Sequence, residues 1–414
     1  MVIGSNLRAL GIARSLGRRG IETWLLYSPG DDPVARASRF VARSLRVSGD
    51  SDCLADALLS MAAIHRLDGW TLFPTDDEPA AALARAYEPL AERFALTTPR
   101  WNALRYAYHK RLTHCLADKV GAAYPWTRYP RDLVEAAELE CPFPVVLKPD
   151  AKPEENRFTR AKAWLVRDRA ALVAGWAEAA GLVGPGGVIV QELVPGGGEH
   201  QYSFASLCQA GVSLASLVAR RTRQYPRDFG HSSSLVETVE APEVERLGRA
   251  IVEALGWDGL VEIEFKRDAR DGSYKLLDIN PRVWTWHALG PRAGVDFPYL
   301  TWRLSQGLPI DPVRARPGVR WVRLATDIPS ALAAVRAGQL SLRGWAASLR
   351  RPRQAAVLAW DDPLPSLADP LLTVWRMVRR RADVKRRENQ RSRPPRVRPR
   401  GPASRGRSAE REFV

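Results

Sequence analysis

The sequence predicts an α/β unit on a parallel sheet, followed by α+β domains with antiparallel strands. Three observations carry this. Through the first hundred residues, short apolar strand-like runs alternate with helical patterns, and strands separated by helices imply parallel pairing. Beyond residue 100, alternating runs come in adjacent pairs, and Asp271-Gly272 between two of them is a hairpin signal. A chain of 414 residues, 45% apolar, suffices for two or three domains with their own cores.

Val2-Ile3 opens the first unit as an apolar strand, so short that the natural start is expected upstream. Gly4 leads into a helical pattern (Leu7, Leu10, Ile12, Ala13, Leu16) ended by Gly17 and Gly20. Strands are expected at 21–27, 40–47 and 70–74, and helices at 53–67 and 78–94. This unit is Rossmann-like, yet Gly4 and Gly11 do not make the GxGxxG spacing that dinucleotide binding needs. Residues 101–120 read as one helix with Lys110 near its centre. A proline-broken connection at 122–127 precedes strands at 143–149 and 163–166 and a helix at 169–180. A buried strand at 188–194 runs into Pro195-Gly196-Gly197-Gly198. An antiparallel pair at 201–207 and 212–221, a helix at 244–255, a hairpin of 260–267 with 273–279, and an aromatic helix at 284–289 follow. After Gly307 the pattern thins to a strand at 319–325, a helix at 330–337 and a strand at 354–360.

The net charge of +16 is concentrated at one end. Residues 376–414 hold 15 basic and 4 acidic groups, leaving the rest of the chain close to balance. The high charge therefore does not argue for nucleic-acid binding by the folded part. The arginine-, proline- and serine-rich tail has too little apolar surface to offset its ordering entropy and is expected to be disordered. No stretch approaches the roughly 18 apolar residues of a membrane span. Cys53, Cys115, Cys141 and Cys208 are scattered without CxxC spacing, which disfavours disulfides and thiolate zinc sites and suggests a reducing cytoplasm. Only 8 of the 62 basic residues are lysine. A retained lysine therefore marks a place suited to a compact ammonium rather than a forked guanidinium.

Binding ATP with magnesium needs cations for the phosphates, oxygen ligands for the metal and a strand edge for adenine, and the chain offers these in order. Lys148 ends an apolar strand, Gln191-Glu192-Leu193-Val194 forms a buried strand whose backbone could read adenine, and Glu199 beyond the glycine turn could accept ribose hydroxyls. Glu264 lies on one hairpin strand, and Asp278 with Asn280 on its partner, so that one cation could be shared. An all-oxygen set suits magnesium, with manganese as the alternative. Arg282 supplies fixed charge for a phosphoryl or carboxylate group. Arg220, Arg221 and Arg223 are candidates for gripping a substrate carboxylate or phosphate, and His287 is a candidate on the substrate side.

These motifs, FPVVLKP (143–149), VQELVPGGGEHQYSF (190–204), ARRTRQYPRDFG (219–230) and VEIEFKRDARDGSYKLLDINPR (261–282), make the chain resemble the ATP-grasp superfamily over roughly residues 2–325. The nearest resemblance is to its bacterial carboxylate–amine ligase-like branch. The resemblance implies a Rossmann-like pre-ATP-grasp domain (1–100), a small ATP-grasp subdomain with linker helix (101–187) and a large subdomain (188–325). A C-terminal extension (326–375) and the basic tail follow. It implies a ligase that activates a carboxylate as an acyl phosphate for attack by an amine. Lys110 and Lys148 are then the phosphate lysines, Gln191 to Val194 the adenine hinge, Glu199 the ribose ligand, and Glu264, Asp278 and Asn280 the magnesium ligands. Lys148 and Arg282 are the catalytic candidates. Two departures stand out: the position of Asp278 is more often glutamate, and the loop at 150–162 has no glycine. Lys162 or Arg160 would there replace backbone contacts with side-chain charge. The alternatives are a nucleotide-binding scaffold without catalysis, and a protein whose tail makes weak contact with RNA or an anionic membrane.

Overall fold

The computed structural model describes residues 1–47, 53–151, 156–161, 163–225, 232–350 and 353–374. Lys162 and the basic tail lie outside the described residues. Residues 1–369 form one compact unit, and a second begins at Pro370, of which 370–374 are described as helical.

The N-terminal sheet consists of β1 (Val2–Ile3), β2 (Trp24–Tyr27), β3 (Arg43–Arg46), β4 (Trp70–Pro74) and β5 (Phe94–Leu96). Its order is β3-β2-β1-β4-β5, with every pairing parallel. Helices α1 (Leu7–Gly17), α2 (Leu54–His65), α3 (Asp77–Arg85) and α4 (Tyr87–Ala91) accompany it. The order runs outward in both directions from β1 and β4, so the carboxyl ends of these two strands form the switch point where open α/β sheets take ligands. The loops after β1 and β4 meet closely there. Gly4 sits at φ +115°, and a Cβ on it would lie 2.0 Å from Thr75 Oγ1, so only glycine fits. Asn6 caps α1, accepting from the Arg8 N–H at 2.9 Å.

Two helical expectations change. The stretch 78–94 divides into α3 and α4, and the chain then enters β5 at Phe94. The single helix over 101–120 is broken at His109, whose backbone is extended (φ −108°, ψ 118°), into α5 (Trp101–Tyr108) and α6 (Lys110–Val120). Lys110 therefore opens a helix instead of lying mid-helix.

A four-stranded antiparallel sheet follows, β6 (Thr127–Arg128), β7 (Val145–Pro149), β8 (Trp164–Val166) and β9 (Val188–Glu192), in the order β6-β9-β7-β8. With α7 (Leu133–Glu138), α8 (Arg157–Ala161) and α9 (Arg169–Val183) it encloses Val145, Leu147, Phe158, Leu172 and Trp176.

The largest sheet has the order β14-β13-β10-β11-β12-β16-β17, with β15 beside β11. Its strands are β10 (Gln201–Gln209), β11 (Val212–Tyr225), β12 (Ser232–Thr238), β13 (Gly259–Arg267), β14 (Tyr274–Asn280), β15 (Val313–Arg314), β16 (Arg320–Val322) and β17 (Arg353–Ala355). One face packs Phe204, Val261, Ile263, Phe265 and Ile279 against α6 and α10 (Pro242–Ala254). Because side chains alternate along a strand, the other face carries Glu262, Glu264, Asp278 and Asn280. The expected aromatic helix at 284–289 is reduced to one turn at 287–289 before α11 (Gly290–Ala293) and α12 (Phe297–Ser305). Trp284 and Trp286 are both buried there, and Trp284 packs edge-on to Phe297 at 4.7 Å.

Helices α13 (Leu324–Arg336) and α14 (Leu342–Ser348) follow, and the chain returns to the first domain. Asp362 accepts from Arg14 Nε at 2.8 Å and Ser38 Oγ at 2.7 Å, all three buried. No helix among the described residues is long and apolar enough to cross a membrane.

Candidate active site

The hairpin of β13 and β14 sets the geometry. Glu264 stands opposite Asp278, and Glu262 opposite Asn280, which places all four on one face. Asn280 Nδ2 donates to Glu262 Oε2 and Glu264 Oε1, both at 3.2 Å, and Gln201 Nε2 donates to Glu264 Oε2. Glu262 also accepts from Ser203 Oγ at 3.0 Å. Burial, and then the neighbouring charge of Glu264, raise the Glu262 carboxyl to about 7.

Lys110, turned by the break at His109, reaches across from the first turn of α6 and forms an ion pair with Asp278. Together they line a cavity of about 50 Å³ with Asp77, Asp150, Asn280 and Pro281. Lys148, at the end of β7, donates to Gln191 Oε1 at 2.8 Å, while Gln191 Nε2 is held by Thr127 Oγ1 at 3.0 Å. The two lysines share a field. Burial first, then the charges of Lys110 and Lys148, push the His114 imidazole down to about 4.

Glu192, placed by its backbone in the expected adenine hinge, has its side chain engaged elsewhere. Its carboxylate is buried and held by Lys275, by Arg270 Nη2 at 2.8 Å and by the Trp126 N–H at 3.1 Å. Burial alone would raise its pKa, but these donors outweigh burial and bring it below the ordinary value. Arg270 and Lys275 also hold the fully buried Asp268. This quartet fastens the strand of Gln191 and Glu192 to the β13–β14 hairpin. Leu193 donates its N–H to Pro144 O at 3.2 Å, and Val194 is buried.

Glu199 is more than half exposed and accepts the Gly197 N–H at 3.2 Å. Lys266, beyond Glu264 on β13, donates to the carbonyls of Gly196 and Gly197, both at 2.6 Å, and so fixes the glycine turn to the metal-side strand. Burial lowers its pKa to about 8.

Alternation sorts the three arginines of β11. Arg221 faces the carboxylates, 3.8 Å from Glu264. Arg220 projects to the opposite face, toward Glu237 at 3.9 Å. The register shifts after Arg221, and Arg223 pairs with Leu235. Arg223 then meets Asp327 of α13 with Nε and Nη2, both at 2.8 Å. Asp327 is fully buried, so the Arg223 guanidinium is engaged in a buried ion pair. His287 lies in the interior. It is 1% exposed, lies where Gly11 of α1 leaves room, and its Nδ1 is 2.8 Å from Trp284 O. Burial lowers its pKa to about 4.

Arg282 leaves β14 toward the N-terminal switch point. Its Nε is 2.8 Å from Asp77 of α3, and its Nη2 donates to Asn280 Oδ1 at 3.2 Å. Arg8 of α1 meets it there, donating to Thr75 O at 2.8 Å and Asp76 Oδ1 at 2.6 Å, with its Nε buried and without a hydrogen-bond partner among the described residues. Burial, then repulsion from Arg282, lower the Arg8 pKa. Sequence reading missed Arg8, Asp76, Asp77 and Lys266, which only the tertiary approach of distant segments brings in. Glu262 was legible, since it lies two residues before Glu264 and so shares its face.

The oxygen donors fit a hard divalent ion. Glu264, Asp278 and Asn280 share one face of paired strands, and the ammonium of Lys110 already seats positive charge on Asp278. Among the described residues no three His, Cys, Asp or Glu side chains converge. Glu264, Asp278 and Asn280 would offer such an ion two carboxylates and one amide oxygen.

A family model described as ATP-grasp in the biosynthetic pathway with Ter operon matches residues 189–326. Solved structures with a similar fold include biotin carboxylase from Campylobacter jejuni, at 16% identity and TM-score 0.60, covering 75% of this chain and 71% of that one. L-amino acid ligase from Bacillus licheniformis is similar at 17% identity and TM-score 0.56, covering 75% and 74%. N5-carboxyaminoimidazole ribonucleotide synthetase, solved with ADP, is similar at 14% identity and TM-score 0.61, covering 81% and 84%. No curated protein matches the sequence. At these identities the likeness shows the fold.

Proposed function

We propose that this chain, which has an ATP-grasp fold and matches an ATP-grasp family model over residues 189–326, is an ATP- and magnesium-dependent ligase joining a carboxylate to an amine through an acyl phosphate. The observation that carries the reading is the Glu264–Asp278–Asn280 face with Lys110 seated on it. Glu264, Asp278 and Asn280 would hold magnesium, whose positive charge would offset that of the phosphates. Lys110 and Lys148 neutralise the phosphates, the hinge backbone at 191–194 reads adenine, and Glu199 accepts ribose hydroxyls from a turn held by Lys266. Arg8 and Arg282, at the switch point beside Asp76 and Asp77, hold the acid. In the first step a carboxylate oxygen attacks the γ-phosphorus, and ADP leaves with the electrons of the broken P–O bond. In the second, the amine attacks the acyl carbon, inorganic phosphate departs and the nitrogen gives up a proton. Positioning and charge stabilisation are the main demands of such chemistry, and they are what lysines, arginines and carboxylates supply.

The test is an ADP- and phosphate-release screen with Mg·ATP over amino acids, small peptides and amino sugars. Release that depends on an acid and an amine is expected, and Lys148→Ala or Asp278→Ala should abolish it. Undiminished turnover in either variant would contradict the site.

A further inference from the structure

We propose that Lys110 and Arg221 guard the metal carboxylates, so that a divalent ion enters only in company with a triphosphate. The inference rests on the ATP reading above and adds an order of binding to it.

Each acidic ligand has its own cation. Asp278 carries the Lys110 ammonium and accepts the Ile279 N–H at 3.0 Å. Glu264 carries Arg221 at 3.8 Å, with Gln201 and Asn280 donating to its two oxygens. The Asn280 carbonyl oxygen, the third donor, faces Arg282 Nη2 at 3.2 Å. Two carboxylates and two close cations sum to no net charge. The side chains of Lys110 and Arg221 are only 16% and 15% exposed, which limits screening by solvent. A free divalent ion would thus meet a neutral set with an ammonium on one ligand and would have to displace it. A triphosphate changes the balance, because its oxygens offer both cations new partners and free the carboxylates at the same moment. Both guards can move: Lys110 stands at the first residue of α6 on a flexible stem, and Arg221 adjoins the register shift of β11.

The test follows Mn²⁺ binding by electron paramagnetic resonance, with the full chain and no nucleotide. The wild type should bind Mn²⁺ weakly, and Lys110→Met should bind one ion at least tenfold more tightly. Adding Asp278→Asn to Lys110→Met should remove the gain, which a general loss of structure would not mimic. Arg221→Met, acting through the longer contact to Glu264, should give a smaller gain. ATP added to the wild type should bring Mn²⁺ onto the protein. The proposal is overturned if Lys110→Met and wild type bind Mn²⁺ within twofold, if the gain survives Asp278→Asn, or if the wild type already binds tightly. Should Lys110→Met not fold, Lys110→Gln carries the same comparison. A wild type that takes no ATP with or without Mn²⁺ would instead refute the ATP reading.

Discussion

Replacing Arg223 with methionine separates a structural arginine from a site arginine. Arg223 makes two hydrogen bonds of 2.8 Å to Asp327, and its Nη1 donates to Ser348 Oγ at 3.0 Å. Asp327 is 0% exposed and also accepts from Ser234 Oγ at 3.1 Å and Trp345 Nε1 at 2.9 Å. Arg223→Met removes one partner of a buried pair and strands the other charge, a change that costs about 3–5 kcal/mol. The two neutral donors left on Asp327 favour the lower end of that range. For a unit of this size the loss corresponds to a fall in Tm of roughly 4–6 °C. Urea denaturation measures the stability, and calorimetric titration at low temperature, where the variant stays folded, measures Mg·ATP affinity. Arg223→Met should lose stability and keep nucleotide affinity, whereas Arg221→Met should do the reverse. A variant at 223 that is as stable as wild type yet fails to bind substrate or nucleotide would refute the assignment.

Glu192→Ala should destabilise by about 1.5–3 kcal/mol, because Lys275 and Arg270 lose one of the two carboxylates they share and keep Asp268. Lys275→Met in the same chain should restore part of it, and additive losses in a double-mutant cycle would count against the quartet. His287, held near pKa 4 by burial against an ordinary 6.5, takes its proton first in the unfolded chain. Its contribution is therefore complete above about pH 6.5 and disappears as pH falls toward 4, about 3 kcal/mol in all. His287→Gln should flatten that part of the stability curve, leaving the share of His114, and an unaltered slope would refute the account. Arg8→Gln should raise the KM for the acid by roughly 10- to 100-fold, the worth of a charged hydrogen bond, with Mg·ATP affinity intact. Equal losses for acid and nucleotide would show that Arg8 acts only on the fold.

The sequence by itself determined what depends on local pattern. Apolar alternation located the strands that carry Lys148, Gln191, Glu264 and Asp278, because a period of two fixes which side chains share a face. Asp271-Gly272 joined β13 to β14, and from that pairing the shared face of Glu264, Asp278 and Asn280 followed. The same period would have added Glu262.

Tertiary structure decided everything that depends on where distant segments meet. Nothing local marks the break at His109 that turns Lys110 toward Asp278, 168 residues away. Arg220, Arg221 and Arg223 are nearly equivalent as letters, yet alternation and one register shift send them to Glu237, Glu264 and Asp327. Nothing local to Glu192 announces that Lys275 and Arg270 arrive from the hairpin to hold its carboxylate. Arg8 and Asp77 enter the site only because the β1 and β4 loops face Arg282. Local periodicity constrains the direction of a side chain, whereas its partner is set by long-range packing, which no short window of sequence contains.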